Sequence, residues 1–195
     1  MLKKGERGDG MDKLAVLRQY FGFPAFRAGQ QTLIDAVLSG RDALGVMPTG
    51  GGKSLCYELP ALLLPGMTLV VSPLISLMKD QVMALRNAGI PAGCINSSMS
   101  LDELRETYRD ARYGAYKLLY VAPERLLTDG FCSLAQELEI PLVAVDEAHC
   151  ISQWGQDFRP SYLKIVEFLQ RLPRRPAVAA FTATATAQVR ADIIR

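Results

Sequence analysis

Met47-Pro48-Thr49-Gly50-Gly51-Gly52-Lys53-Ser54 joins an apolar run, Ala43–Met47, to a helix-like segment, Lys53–Leu63. A glycine-rich turn between a strand and a helix bends the backbone around an anion. Its N–H groups point inward, and the helix start adds positive potential. In this reading Thr49, Gly50, Gly51 and Gly52 cradle the phosphates of a nucleotide. Lys53 reaches the β- and γ-phosphates, and the Ser54 hydroxyl ligates Mg²⁺. The general pattern G-x-x-x-x-G-K-[ST] asks for glycine where Met47 stands. The competing reading is a glycine-rich turn that binds nothing.

Outward from this loop the chain alternates. Further β-rich runs lie at Thr68–Ser72, Leu118–Val121, Leu142–Val145 and Val178–Phe181. Helix-like segments lie between them at Ile75–Ala88, Leu101–Arg112 and Leu163–Arg171. Alternation of this kind implies βαβ crossovers and a parallel sheet. The strands are apolar at nearly every position, which burial on both faces requires. The expected fold is therefore α/β, a mostly parallel β-sheet with helices on both faces. Before the loop, Lys13–Tyr20 and Arg27–Leu38 read as helices separated by the turn Phe21-Gly22-Phe23-Pro24. Residues 1–12 read as a flexible tail and residues 13–195 as one domain. The chain closes inside a helix-like segment, Ala187–Arg195, so it reads as a fragment of a longer protein.

The second chemical signal lies where the strand Leu142–Val145 ends in Asp146-Glu147-Ala148-His149. Two carboxylates at the end of a buried strand are explained by a metal and a water molecule. Asp146 would hold Mg²⁺ through its second shell or through water, and Glu147 would polarise the water that attacks the γ-phosphate. The alternative is that Asp146 caps the helix that follows. His149, directly after Asp-Glu-Ala, reads as a link between the nucleotide site and its surroundings.

Bulk properties bound the answer. The chain has 195 residues, enough for one domain with a good core. It is 49% hydrophobic and 22% charged, an ordinary globular composition, with a net charge of +2. Any nucleic-acid contact must come from a local patch or from another part of the protein. Cys56, Cys94, Cys132 and Cys150 form no CxxC pair, and His149 is the only histidine, so no zinc is expected. Scattered cysteines without a signal peptide imply a reducing cytoplasm. The longest apolar stretch, around Ala61–Val71, is broken by Pro65 and Gly66 and cannot span a membrane.

Taken in order, the motifs resemble those of superfamily 2 helicases and, within them, the RecQ family of DNA helicases. The resemblance runs from about Leu14 to the C-terminus. Helicase-type phosphate loops are looser at the position of Met47. Phe21-Gly22-Phe23 with Phe26-Arg27-Ala28-Gly29-Gln30 resembles the family's adenine-recognition motif. By that resemblance Gln30 hydrogen-bonds the adenine edge while Phe23 and Arg27 pack on the ring. An amide is a matched donor and acceptor for adenine. Val71–Gln81 and Ala122–Leu126 resemble segments that touch the DNA backbone, although both read equally well as strand-to-helix connections.

Cys150-Ile151-Ser152-Gln153-Trp154-Gly155-Gln156-Asp157-Phe158-Arg159-Pro160 resembles the RecQ aromatic-rich loop that senses single-stranded DNA. Trp154 and Phe158 offer faces for base stacking, and Arg159 offers a phosphate or cation–π contact. The resemblance carries Ser152 and Gln153 with them. Gln156 stands where that loop has histidine. The alternative for Trp154 is a core anchor. Thr182-Ala183-Thr184 resembles the motif linking ATP hydrolysis to strand movement, and its hydroxyls can reach His149 or Glu147, cap the next helix, or do both.

The resemblance implies a RecA-like domain that binds ATP and Mg²⁺. It implies 3′-to-5′ movement on single-stranded DNA, unwinding of duplex DNA, and a second RecA-like domain across the ATP cleft. It further implies a cytoplasmic, membrane-free protein, nucleoid-associated in a bacterium. Two other classes stay open: a non-helicase P-loop ATPase, and an ATP-dependent nucleic-acid-binding module.

Overall fold

Short apolar strands need both faces covered, and the computed structural model, which describes residues 12–195, covers both. The expected tail lies outside the described residues except for Asp12, whose side chain caps the first helix by accepting from Leu14 N. In chain order the elements are α1 (Lys13–Phe21), α2 (Gln30–Leu38), β1 (Ala43–Val46), α3 (Leu55–Leu63) and β2 (Thr68–Val71). Next come α4 (Ile75–Asn87), β3 (Ala92–Ile95), α5 (Leu101–Arg112), β4 (Leu118–Val121) and α6 (Asp129–Glu137). The last are β5 (Leu142–Val145), α7 (Lys164–Arg171), β6 (Ala177–Thr182) and α8 (Ala187–Ile194).

The strands form one six-stranded sheet in the order β1-β6-β5-β2-β4-β3, and every pair is parallel. Side chains alternate between the two faces. Leu69, Val71, Val143 and Val145 pack with Phe131, Leu134 and Phe168 of α6 and α7. Val70, Leu142, Ala144 and Tyr120 face the opposite way, onto Tyr57 of α3 and Met78 and Leu85 of α4. A smaller cluster, Val16, Leu17, Ile34, Leu55 and Leu59, seats α1 and α2 on α3. This α/β architecture is the expected one, with helices on both faces.

Two elements escaped the sequence reading. The edge strand β3 is only Ala-Gly-Cys-Ile, with no aromatic or β-branched run to announce it. It forms because Ala92–Ile95 pairs in register with Leu118–Val121. Helix α6 carries Gly130 and Ser133, weak helix formers, and is held by burying Phe131, Leu134 and Ala135. Two starts also move. Helix α2 begins at Gln30 rather than Arg27, because Gly29 takes a left-handed conformation (φ 82°). Helix α3 is regular from Leu55, with Lys53 and Ser54 in the turn that opens it.

Register sets the position of the site. Val46 lies opposite Thr182, Val71 opposite Val145, and Val145 opposite Ala180. The phosphate loop, Asp146 and Thr182 therefore emerge at the same carboxyl edge of the sheet, where open α/β sheets hold their ligands.

Candidate functional site

The loop after β1 needs its glycines. Gly50 and Gly52 adopt left-handed backbone (φ 77° and 79°). A Cβ on Gly51 would sit 2.8 Å from the Pro48 carbonyl, and one on Gly52 would sit 2.4 Å from Gln30 Nε2. Met47 N donates to Thr182 O at 3.0 Å, which ties the loop's entry to the end of β6.

The segment before α2 grips this loop. Arg27 Nη1 donates to Gly50 O at 2.6 Å, and Gln30 Nε2 donates to Gly52 O at 3.2 Å. Gln30 Oε1 accepts from Arg27 N at 2.8 Å. Gln30 is buried at 2% exposure, whereas Phe23 is 46% exposed beside it. The Gln30 amide thus reads the phosphate loop directly and fixes the position of Arg27.

Glu147 holds the centre. Among the described residues it is the one non-glycine with positive φ (48°), a strained conformation that costs about 1 kcal/mol. That backbone turns its carboxylate between two partners. Lys53 Nζ donates to Glu147 Oε1 at 3.2 Å, and His149 Nδ1 lies 3.3 Å from Glu147 Oε2. His149 Nδ1 also lies 2.9 Å from Thr182 Oγ1. The Thr182 hydroxyl spends its proton on Thr184 O at 3.0 Å, so toward His149 it accepts. The geometry therefore assigns the proton to His149 Nδ1. An unbroken polar path runs Lys53–Glu147–His149–Thr182. The Thr184 hydroxyl is not part of it, because Thr184 contributes its carbonyl. Neither Thr182 nor Thr184 caps α8, since the Thr186 side chain does so by accepting from Val189 N.

Asp146 stands beneath this path with its backbone anchored on both sides. Its N–H donates to Val71 O at 2.9 Å, and its carbonyl accepts from the buried Tyr162 hydroxyl at 2.8 Å. Burial, together with the negative charge of Glu147, pushes its carboxyl above the usual range, opposed by Lys53. Asp146 Oδ1 accepts from Glu147 N at 3.0 Å and so shapes the Glu147 bend. A desolvated acid at the carboxyl edge of the sheet, where the phosphate loop and its Ser54 hydroxyl also emerge, offers the oxygen donors that Mg²⁺ takes alongside phosphates and water. Among the described residues no group of three or more His, Cys, Asp or Glu side chains could hold a metal ion alone.

Sequence reasoning missed Glu58, on the core face of α3 at 7% exposure. Burial pushes its carboxyl up to about 7, and the Tyr120 hydroxyl donates to it at 3.4 Å. A lone carboxylate inside Leu55-Cys56-Tyr57-Glu58-Leu59-Pro60 was the available signal.

The aromatic loop follows the turn Ala148–Ile151. Trp154 is 74% exposed, which removes the core-anchor alternative. Phe158 is half-buried and Gln153 is exposed. Arg159 is held by Asp157 through Nε and Nη2 (2.9 and 2.8 Å) and donates from Nη1 to Pro73 O at 3.0 Å. Ser152 is buried, donates to Asp192 Oδ2 at 2.6 Å and accepts from Trp154 N at 3.1 Å. A hollow of about 270 Å³ is lined by His149, Trp154, Gln156, Thr184, Thr186 and Val189. Larger hollows of about 430 and 730 Å³ lie near Glu139 and Arg174 and over β1 and β6, and neither includes the phosphate loop.

Comparison with known proteins bears on this geometry. The profile of the DEAD/DEAH box helicase family matches residues 27–193. The chain is 52% identical over 182 residues to the ATP-dependent DNA helicase RecQ of Bacillus subtilis, covering 93% of this chain and 31% of that protein. It is 49% identical to the protein of the same name from Haemophilus influenzae, covering 93% of this chain and 29% of that protein. The chain thus spans about three tenths of these curated relatives. Among solved structures, the DUF1998 helicase MrfA bound to DNA and AMPPNP superposes with a TM-score of 0.73 at 16% identity, over 96% of this chain and 28% of that one. A hypothetical ATP-dependent RNA helicase from Sulfolobus tokodaii gives 0.70 at 22% identity, over 93% and 53%. At these identities the likeness is one of fold. Among the described residues no helix is long and apolar enough to cross a membrane.

Proposed function

This chain belongs to the DEAD/DEAH box helicases, and from that premise we propose that it is the ATP-binding motor domain of a RecQ-type DNA helicase moving 3′-to-5′ on single-stranded DNA. The observation that carries this reading is the path Lys53–Glu147–His149–Thr182, which joins the phosphate loop to the strand end beside the aromatic loop.

Each residue has work matched to its position. Thr49 and the backbone of Gly50, Gly51 and Gly52 receive the phosphates, and Lys53 exchanges Glu147 for the β- and γ-phosphates. Glu147, once released, orients and deprotonates the attacking water. Ser54 and Asp146 would hold Mg²⁺, which neutralises charge on the phosphate oxygens. Gln30 and Arg27 sense the base side of the nucleotide through the same groups that grip the loop, and Phe23 packs against the ring. His149 and Thr182 carry the change in Glu147 toward α8. Trp154 and Phe158 stack on bases of a single strand, Gln153 and Arg159 contact its backbone, and Ser152 and Thr184 couple the loop to the nucleotide. A second RecA-like domain faces the carboxyl edge of the sheet and supplies the arginine that completes hydrolysis. Duplex DNA is unwound ahead of the gripped strand, and the working compartment is one that holds DNA.

Trp154, the only tryptophan of the chain, tests the reading. Its fluorescence is followed as a single-stranded oligonucleotide is added, with and without Mg²⁺ and a non-hydrolysable ATP analogue. The expected result is a saturating quench that weakens with salt and changes with nucleotide. Absence of any response, with nucleotide binding measured separately, removes the aromatic loop from strand contact.

A further inference from the structure

Ser152 and Asp192 meet across 40 residues of sequence in a hydrogen bond that the nucleotide site does not use. A carboxylate only accepts, so at 2.6 Å the Ser152 hydroxyl must aim its single proton at Asp192 Oδ2. The lone pairs of Ser152 Oγ then face the other way, where Trp154 N donates at 3.1 Å. Asp192 is itself held, since its Oδ1 accepts from Gln188 Nε2 at 3.2 Å one turn earlier on α8. Ser152 is buried at 1% exposure, so water does not compete for its hydroxyl. The turn is closed here by Gly155 N, which donates to Ser152 O at 2.9 Å, and a Cβ on Gly155 would stand 2.3 Å from His149 O.

We propose that Asp192 is a positioning residue for the aromatic loop, acting through the Ser152 hydroxyl to fix the backbone of Trp154 and with it the indole that faces the strand. The two ends of the loop are pinned to different elements. Its start is tied to α8 through Ser152 and Asp192, whereas Arg159 ties its end to Pro73, ahead of α4. Helix α8 follows the Thr182–Thr184 segment that contacts His149. A displacement of Thr182 is therefore delivered to Trp154 through α8 as well as through the short turn Ala148–Ile151. The role in strand contact rests on the function proposed above, but the positioning itself does not.

Amide hydrogen exchange, resolved by residue on the nucleotide-free chain, reads the positioning directly. Asp192→Ala should lower protection of the Trp154 N–H about fivefold, the worth of one hydrogen bond, while the core amides of Val71 and Val143 keep theirs. Asp192→Asn retains an acceptor for Ser152 and should restore protection to the parent level. Ser152→Ala should lower it as far as Asp192→Ala, and the double variant no further. Unchanged Trp154 protection in Asp192→Ala overturns the proposal, as does an Asn variant no better than the Ala variant. If Asp192→Ala loses core protection too, Asp192→Leu replaces it with the same two outcomes. In the oligonucleotide titration, Asp192→Ala should need about fivefold more strand for half-quench. A parent chain that fails to respond to DNA at all defeats the function proposed above and leaves the exchange result standing.

Discussion

Glu58 shows what one buried carboxyl does to the pH response of this fold. Its proton affinity rises from the ordinary 4.5 to about 7 because burial disfavours the charged form. Between these values the folded chain holds a proton that the unfolded chain has lost. The contribution of Glu58 to stability is therefore intact below pH 4.5, falls as pH rises toward 7, and is flat above that. The loss amounts to about 3 kcal/mol. Glu58→Gln should leave stability near the parent value at pH 4.5 and raise it by up to about 3 kcal/mol at pH 8, read by urea unfolding at the two pH values. Equal gains at both would remove Glu58 as the source. At Gly52 the backbone matters instead. Gly52→Ala places a methyl group against Gln30 Nε2 in a left-handed conformation. It should cost about 1–2 kcal/mol and weaken ATP binding, measured by calorimetry.

At the scale of elements, the phosphate loop is held by its neighbours as much as by its own turn. Gln30 at the start of α2 and Thr182 at the end of β6 bind its carbonyl and its entry. In the proposed reading one amide serves the loop and the base side together, so Gln30→Ala should reduce ATP affinity and narrow the preference for ATP over GTP. A preference left intact would assign Gln30 to structure alone. Helix α5 provides a contrast far from the chemistry. Ser100 and Glu103 form a capping box, with Ser100 N donating to Glu103 at 2.7 Å and Glu103 N donating to Ser100 at 3.2 Å. Ser100→Ala should lower stability by about 1 kcal/mol while nucleotide binding is unchanged.

At the scale of the whole molecule, a single parallel sheet offers one wall of an ATP site. On the proposed two-domain reading, the 195-residue chain should bind ATP with Mg²⁺, turn it over very slowly and unwind nothing, because an arginine supplied in trans is worth roughly 10³–10⁵ in rate. Duplex unwinding by this chain alone would overturn the two-domain reading. The phosphate loop, the acid pair after β5 and the strand–helix alternation were all legible in the sequence, because each is local: neighbouring residues carry both the pattern and its chemistry. Ala92–Ile95 was not, since an edge strand this weak exists only through its partner β4. The solvent exposure of Trp154 was legible only through the resemblance of its loop, because tryptophan by itself packs in cores and on open loops alike. The lone carboxylate in an apolar segment marked Glu58 but not its burial. The left-handed bend at Glu147 and the hydrogen bond from Ser152 to Asp192 had no periodic or motif signal. They depend on side chains 40 to 94 residues apart meeting at one edge of the sheet. Sequence by itself thus determined which chemistry the chain carries. Tertiary structure decided which groups face each other, because hydrogen bonds and desolvation act over a few ångströms of space and not over distance along the chain.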